Sequence, residues 1–258
     1  AEIVDALTEF LPISSSAHVS IVGQLLFDGR DPGAAFTAVT QLGTETAVLV
    51  YFRRDIWRII TQWIGSLTGK VAKGDPDARM GWLVIVGSVP IVVLGLLFQD
   101  AIDSTLRNLW ITVAMLAGVA LVLAAADRFG ANNTRELKEL TWPHGILYGL
   151  FQACALIPGV SRSGATISGG LFLGYTREAA TRYGFLLAIP AVFGSGLYKL
   201  KDIGESSVAW GPTIVATVLA FFVGYAVIAW LIRYVSTHNF TIFVVYRLVI
   251  AAVVAALI

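Results

Sequence analysis

Cysteine is nearly absent: Cys154 stands alone among 258 residues, which excludes an intrachain disulfide. It has no metal-ligand neighbours in the chain and is read as a small packed side chain. Charge is also scarce, at 14% of residues against about 25% in an average soluble domain. With a mean hydropathy of +0.77, that scarcity excludes an ordinary soluble fold and places the chain in the membrane class. A net charge of only +1 gives no sign of a nucleic-acid partner. No signal peptide is visible, and the start at Ala1 without Met is what a trimmed N-terminus would give.

In place of charge there are long apolar runs. Trp82 to Gln99, Asn108 to Ala126, Leu140 to Ser161, Tyr183 to Tyr198 and Val208 to Ile232 contain no Asp, Glu, Lys or Arg. A bilayer core about 30 Å thick needs roughly 20 apolar residues in a helix, so most of these runs can span it. The pattern predicts an all-α integral membrane protein of about ten helical segments: 1–11, 15–27, 33–53, 80–99, 108–127, 142–156, 163–173, 177–199, 210–234 and 239–258. Four are too short to cross: 1–11 with 15–27, and 142–156 with 163–173. Each short pair is interrupted, by "LPISSS" in one and "IPGVSRSG" in the other. Such breaks survive in lipid only when buried in protein or lining a polar cavity. They predict two re-entrant helical hairpins beside six spanning helices.

The two breaks also match each other. A shift of 147 places Ala6 on Ala153, Ser14 on Ser161, Ser16 on Ser163, Gly23 on Gly170 and Leu26 on Leu173. Each hairpin is followed by three long helices, an odd number, so the halves would have opposite orientation. The expectation is a single transmembrane domain of two inverted repeats, approximately 1–127 and 140–258, with its site where the broken helices meet. Arg53, Arg54, Arg58, Lys70, Lys73, Arg79, Arg128, Arg135, Lys138, Arg177, Arg182 and Arg233 fall on one face; Arg30, Arg107, Lys199 and Lys201 fall on the other. The richer face is expected to be cytoplasmic, with both termini outside.

Ionisable groups within membrane segments are costly and usually functional. Asp5 and Glu9 are four residues apart and share a helix face. Beyond Pro12, the hydroxyls of Ser14, Ser15 and Ser16 can cap the next helix. His18 lies one turn after Ser15, the arrangement of a nucleophile and its proton partner. The plainer alternative leaves the serines as caps and His18 bonded to backbone. In the second break, Arg162 requires an anionic partner at low dielectric. Ser161, Ser163 and Thr166 surround it with donors, Gly159 and Gly164 allow close approach of backbone amides, and a helix N-terminus points at the same place. Together these describe a phosphate cradle; alternatively, Arg162 only pairs with Glu9 or Asp5. Gln41 and Glu45 can line the cavity or face a neighbouring helix. Arg247, in mid-segment, is read as neutralising a carboxylate, and "RRDIWR" at 53–58 as an interfacial anchor.

"LTEFLPISSSAH" together with "PGVSRSGATISGGLFLG" resembles the two signature segments of the undecaprenyl-diphosphate phosphatase family, the bacitracin-resistance membrane phosphatases. Similarity extends through "GFLLAIPA" at 184–191 and "VVYRLVIAA" at 244–252. The resemblance implies hydrolysis of a C55 isoprenoid diphosphate to its monophosphate and inorganic phosphate, in a bacterial plasma membrane and with a divalent cation, Mg²⁺ or Ca²⁺. Carried onto this chain, the expected catalytic residues are Glu9, Ser15, His18 and Arg162. Ser14, Ser16, Ser161, Ser163, Gly164 and Thr166 are the expected substrate-binding residues, and Glu9 with Asp5 the metal ligands. The family usually opens its first motif with Glu-Gly or Gln-Gly, where this chain has Asp5-Ala6, a shorter carboxylate. The expected partners are a polyprenyl diphosphate and membrane lipids, with a homodimer left open. On these residues Ser15 attacks phosphorus and His18 manages its proton, with Ser14 or His18 as alternative nucleophiles. The rival reading is a lipid-phosphate transporter using the same cavity.

Overall fold

The computed structural model describes residues 2–26, 34–103, 108–199 and 210–258, and apart from an isolated bridge between Arg135 and Tyr175 their regular structure is helical. In chain order the helices are α1 (Glu2–Thr8), α2 (Ser15–Leu26), α3 (Ala34–Tyr51), α4 (Arg53–Leu67), α5 (Pro76–Leu97) and α6 (Gln99–Asp103). They continue with α7 (Leu109–Phe129), α8 (Trp142–Ala153), α9 (Arg162–Phe172), α10 (Arg177–Lys199), α11 (Trp210–Val235) and α12 (Thr241–Leu257). Among the described residues α5, α7 and α11 are long and apolar enough to cross a membrane, and α12 is a shorter apolar helix. Leu96, Leu121, Phe222 and Val249 are each more than half exposed on these helices. Such an apolar coat suits lipid and would promote aggregation in water.

Three local expectations are corrected. The sequence reading assigns no helix to 54–79, yet α4 occupies most of the first half of that stretch. Its arginines conceal a helical period: Trp57, Ile60, Ile64 and Leu67 form one exposed apolar strip while Ile59 is buried. Helix α5 begins at Pro76 rather than at residue 80. Asp75 caps it by accepting from the amides of Asp77 and Ala78, and proline suits a first position whose N–H has no helical partner. Cys154 is exposed rather than packed.

Helix α11 lies along α3, α5 along α8, α12 along α7 and α10 along α9. Two of these contacts are close because of glycine. A Cβ on Gly43 would fall 2.3 Å from the carbonyl oxygen of Thr217, and one on Gly149 would fall 2.3 Å from that of Gly87. In an apolar surrounding, backbone approach of this kind supplies the van der Waals contact that holds helices together. At one end of the bundle, several basic residues of the richer face interlock. Arg182 pairs with Asp55 at 2.9 Å, Arg58 with Asp77 at 2.8 Å and Arg177 with the buried Asp127 at 2.5 Å. The second oxygen of Asp127 accepts from the amide of Phe240 at 2.9 Å. Arg30, Arg107 and Lys201, assigned to the other face, lie outside the described residues.

The two helix breaks have the same backbone. Among the described residues only Ser14 (φ 73°) and Ser161 (φ 70°) are non-glycine residues in the left-handed region. Each precedes a helix start, Ser15 for α2 and Arg162 for α9. Each hydroxyl meets the one two residues on: Ser14 with Ser16 at 3.2 Å, Ser161 with Ser163 at 3.1 Å. Each carbonyl accepts the amide four residues on, from His18 at 3.3 Å and from Ala165 at 2.9 Å. A non-glycine residue in this conformation costs about 1–3 kcal/mol and persists only where its surroundings enforce it.

Arg247 does much of that enforcing. It is fully buried on α12. Its guanidinium donates to the carbonyls of Pro12 at 3.1 Å, Gly159 at 2.9 Å and Val160 at 3.3 Å, and also to Met115 at 3.3 Å and Leu116 at 3.1 Å. The expectation that it neutralises a carboxylate is therefore corrected: its hydrogen bonds among the described residues end on backbone. Prolines and turns leave carbonyls without helical partners, and only arginine carries five donors in a fork. Pro12 and Gly159 are themselves related by the shift of 147.

Candidate active site

Between the breaks lies a cleft whose polar side is Glu9, Glu45, Arg162 and Ser163. Its apolar side is Val48 of α3 with Phe185, Ala188, Ile189 and Val192 of α10. Of the two polar candidates on α3, Glu45 thus borders the cleft.

Glu9 follows α1 directly, and its amide donates to the carbonyl of Asp5 at 2.8 Å, so the two acidic residues stand one turn apart. The carboxylate of Glu9 joins the breaks. Oε2 accepts the Ser15 hydroxyl at 2.5 Å, and Oε1 forms an ion pair with Nη2 of Arg162. Ser15 and Arg162 are the first residues of α2 and α9, so one carboxylate joins the helices that follow the two breaks. The Glu9 and Arg162 side chains are 13% and 22% exposed, shielded enough for a strong pair yet within reach of a ligand.

The predicted pairing of Ser15 with His18 is replaced. Nδ1 of His18 lies 2.7 Å from the carbonyl of Ser14, and Nε2 lies 2.8 Å from the hydroxyl of Tyr246. The left-handed turn at Ser14 precedes α2 and the ring bends back onto its carbonyl. Glu9, in consequence, is the partner of the Ser15 proton.

The remaining hydroxyls mostly build the breaks. Ser163 borders the cleft and donates to the carbonyl of Leu11 at 2.9 Å, tying the second break to the first. Thr166 is fully buried and donates to the carbonyl of Arg162 at 2.9 Å. The amide of Gly164 donates to the Ser161 hydroxyl at 3.1 Å. A Cβ at Gly164 would come within 3.3 Å of Nη1 of Arg247, so this glycine admits the arginine. Ser14 is buried, and Ser16 is exposed at the start of α2.

Among the described residues no group of three or more His, Cys, Asp and Glu is arranged to hold a metal. Both oxygens of Glu9 already have partners. These residues do not form a protein cage; they fit a cation shared with phosphate, since Mg²⁺ commonly takes one or two carboxylates plus substrate phosphates. Sequence reasoning missed Tyr246 and the apolar wall. The signal for α12 was present, an arginine within the uncharged run around "VVYRLVIAA", but not its acceptors.

The family model described as bacitracin resistance protein BacA matches residues 1–253. The undecaprenyl-diphosphatase of Pseudarthrobacter chlorophenolicus is 62% identical over 251 residues, 95% of this chain and 90% of its own. That of Kineococcus radiotolerans is 62% identical over 258 residues, 99% of this chain and 91% of its own. Undecaprenyl-diphosphatase 2 of Streptomyces coelicolor is 56% identical over 269 residues, 99% of this chain and 92% of its own. The family model spans nearly the whole chain, both breaks, α10 and most of α12 included, and so the chain belongs to the BacA bacitracin-resistance family.

Proposed function

We propose that this chain hydrolyses undecaprenyl diphosphate to undecaprenyl phosphate and inorganic phosphate, recycling the carrier lipid for cell-wall synthesis, with Glu9 at the centre of the reaction. The observation that carries the mechanism is the shared carboxylate. Glu9 holds the proton-bearing oxygen of Ser15 on one side and the phosphate-binding guanidinium on the other.

The isoprenoid lies along the apolar wall of α3 and α10. The Glu9–Arg162 ion pair stands on the polar side of the cleft, so the diphosphate enters as the two part. The guanidinium fork then takes phosphate oxygens. Glu9 takes the Ser15 proton along their hydrogen bond as Oγ attacks the terminal phosphorus in line. The bond from phosphorus to the bridging oxygen breaks, and undecaprenyl phosphate leaves as an anion that needs no proton. Water then attacks the phosphoseryl group. Glu9 returns its proton to Oγ as that bond breaks, and the proton of the water goes to His18, one turn along α2. Glu9 and Asp5 are the carboxylates that would hold a divalent cation, which would supply neutralisation of phosphate charge.

The same proposal arranges α1–α2 and α8–α9 as re-entrant hairpins in two inverted repeats, with α3, α5, α7, α10, α11 and α12 crossing a bacterial plasma membrane. It is supported by the shared φ of Ser14 and Ser161 and by the grip of Arg247 on both breaks. The interlocked basic end then faces the cytoplasm. A reporter fused after Ile258 should be active only outside the cell; cytoplasmic activity would reverse the orientation.

The chemistry is tested with substrate labelled by ³²P in its terminal phosphate. His18→Ala should retain label on Ser15, and Ser15→Ala should acquire none. Glu9→Gln and Arg162→Ala should release phosphate about a hundredfold more slowly or worse, the usual scale of general acid–base and charge stabilisation. Parental release by both would refute the site. Lipid-phosphate transport through the same cleft would require Arg162 but no carboxylate on Ser15. Reconstituted protein that moves lipid phosphate and liberates none would decide for that rival.

A further inference from the structure

Tyr246 lies on α12, outside both breaks, yet it holds the basic atom of His18. The carbonyl of Ser14 can only accept, so its 2.7 Å contact puts the imidazole proton on Nδ1. Nε2 therefore keeps the lone pair, and the phenol O–H donates to it at 2.8 Å. The two rings are within 8° of parallel, with centroids 5.5 Å apart. His18 is 8% exposed and Tyr246 is 40% exposed, so of the hydrogen-bonded pair the tyrosine is the partner that reaches the surface. The neighbouring Arg247 is anchored to both breaks, which fixes this turn of α12 against the start of α2.

We propose that Tyr246 is the positioning residue of His18: its hydroxyl holds the Nδ1–H tautomer and delivers to Nε2 the proton lost by the hydrolytic water. This rests on the reading of His18 as proton acceptor in the second half of the reaction. As the water oxygen bonds to phosphorus, its proton passes to the phenol oxygen while the phenol proton passes to Nε2. Tyrosine is neutral before and after, His18 becomes imidazolium, and no electrons change hands. A tyrosine serving only to pack would need the ring and not the oxygen.

Tyr246→Phe keeps the ring and removes the oxygen. In the full-length detergent-solubilised protein, kcat for undecaprenyl diphosphate should fall about tenfold, part of the hundredfold or more that general acid–base catalysis supplies. KM should fall with kcat and kcat/KM should stay parental, because substrate binding and transfer to Ser15 precede the step that Tyr246 serves, and phosphoseryl enzyme should accumulate. Nitrogen-15 NMR of histidine-labelled protein should show the Nδ1–H tautomer at His18 in the parent and a displaced Nε2 signal in Tyr246→Phe. A parental Nε2–H tautomer, an unmoved Nε2 signal, or an unchanged kcat overturns the proposal, as does a loss shared equally by kcat and stability. His18→Ala separates the two levels. Parental turnover in His18→Ala removes the histidine from the reaction, and the tyrosine with it. An inactive His18→Ala beside a fully active Tyr246→Phe overturns the tyrosine alone.

Discussion

The two oxygens of the Glu9 carboxylate find partners from opposite halves of the chain, one 6 residues away and the other 153. A membrane interior tolerates such a group only when each charge and each donor is matched. The matching partners, Ser15 and Arg162, are the residues that follow the two left-handed serines, so the strain at Ser14 and Ser161 aims the site. That strain can be measured. Glycine adopts a positive φ freely, and as an N-cap it gives up only a few tenths of a kcal/mol, whereas alanine keeps the strain and loses the cap. Ser161→Ala should therefore be less stable than Ser161→Gly by about 1 kcal/mol, read from melting in detergent; the reverse order would mean that the backbone there is unstrained. The types of these residues were legible in the sequence because charge is so rare in it. The partner of His18 was not: helical spacing put it beside Ser15, and the turn at Ser14 moved it to Tyr246.

At the scale of elements, α12 supplies the clamp and α4 an anchor. The guanidinium of Arg247 meets five carbonyls contributed by α7 and both breaks. Lysine has three donors on a narrower head and cannot reach them together. Each buried carbonyl left without a donor costs about 1–3 kcal/mol, so Arg247→Lys should lower the melting temperature even though it conserves charge. A melting temperature equal to the parent's would show that the clamp is dispensable. On α4, Trp57 is 71% exposed at the N-terminal end of the apolar strip, as in a helix lying flat in the headgroup region. In a variant that keeps Trp57 and replaces the other tryptophans, fluorescence should be quenched more by lipids brominated near the glycerol than by lipids brominated near the chain ends. Equal quenching at both depths would remove α4 from the interface. The existence of α4 was hidden from sequence reasoning because its arginines broke the apolar run, although its period was present.

For the whole molecule, the proposed reaction depends on one cleft having a charged side and a greasy side. Ala188 sits on the greasy side, where α10 faces Val48 of α3. Ala188→Trp should reduce kcat/KM for undecaprenyl diphosphate by about tenfold, on the scale of 1.4 kcal/mol of lost binding, and should spare a short-chain isoprenyl diphosphate. Equal losses for both would place the tail elsewhere. The sequence by itself determined the membrane class, nearly every long helix, both breaks and the polar residues within them. These follow from apolar periodicity, proline and the rarity of charge, which act over a few neighbouring residues. Only the tertiary structure decided who bonds to whom: Glu9 to Arg162, His18 to Tyr246 across 228 residues, and Arg247 to the backbone of both breaks. A hydrogen bond demands placement within a few tenths of an ångström. That placement is set by helices packing through glycines far apart in the chain, which no local pattern records.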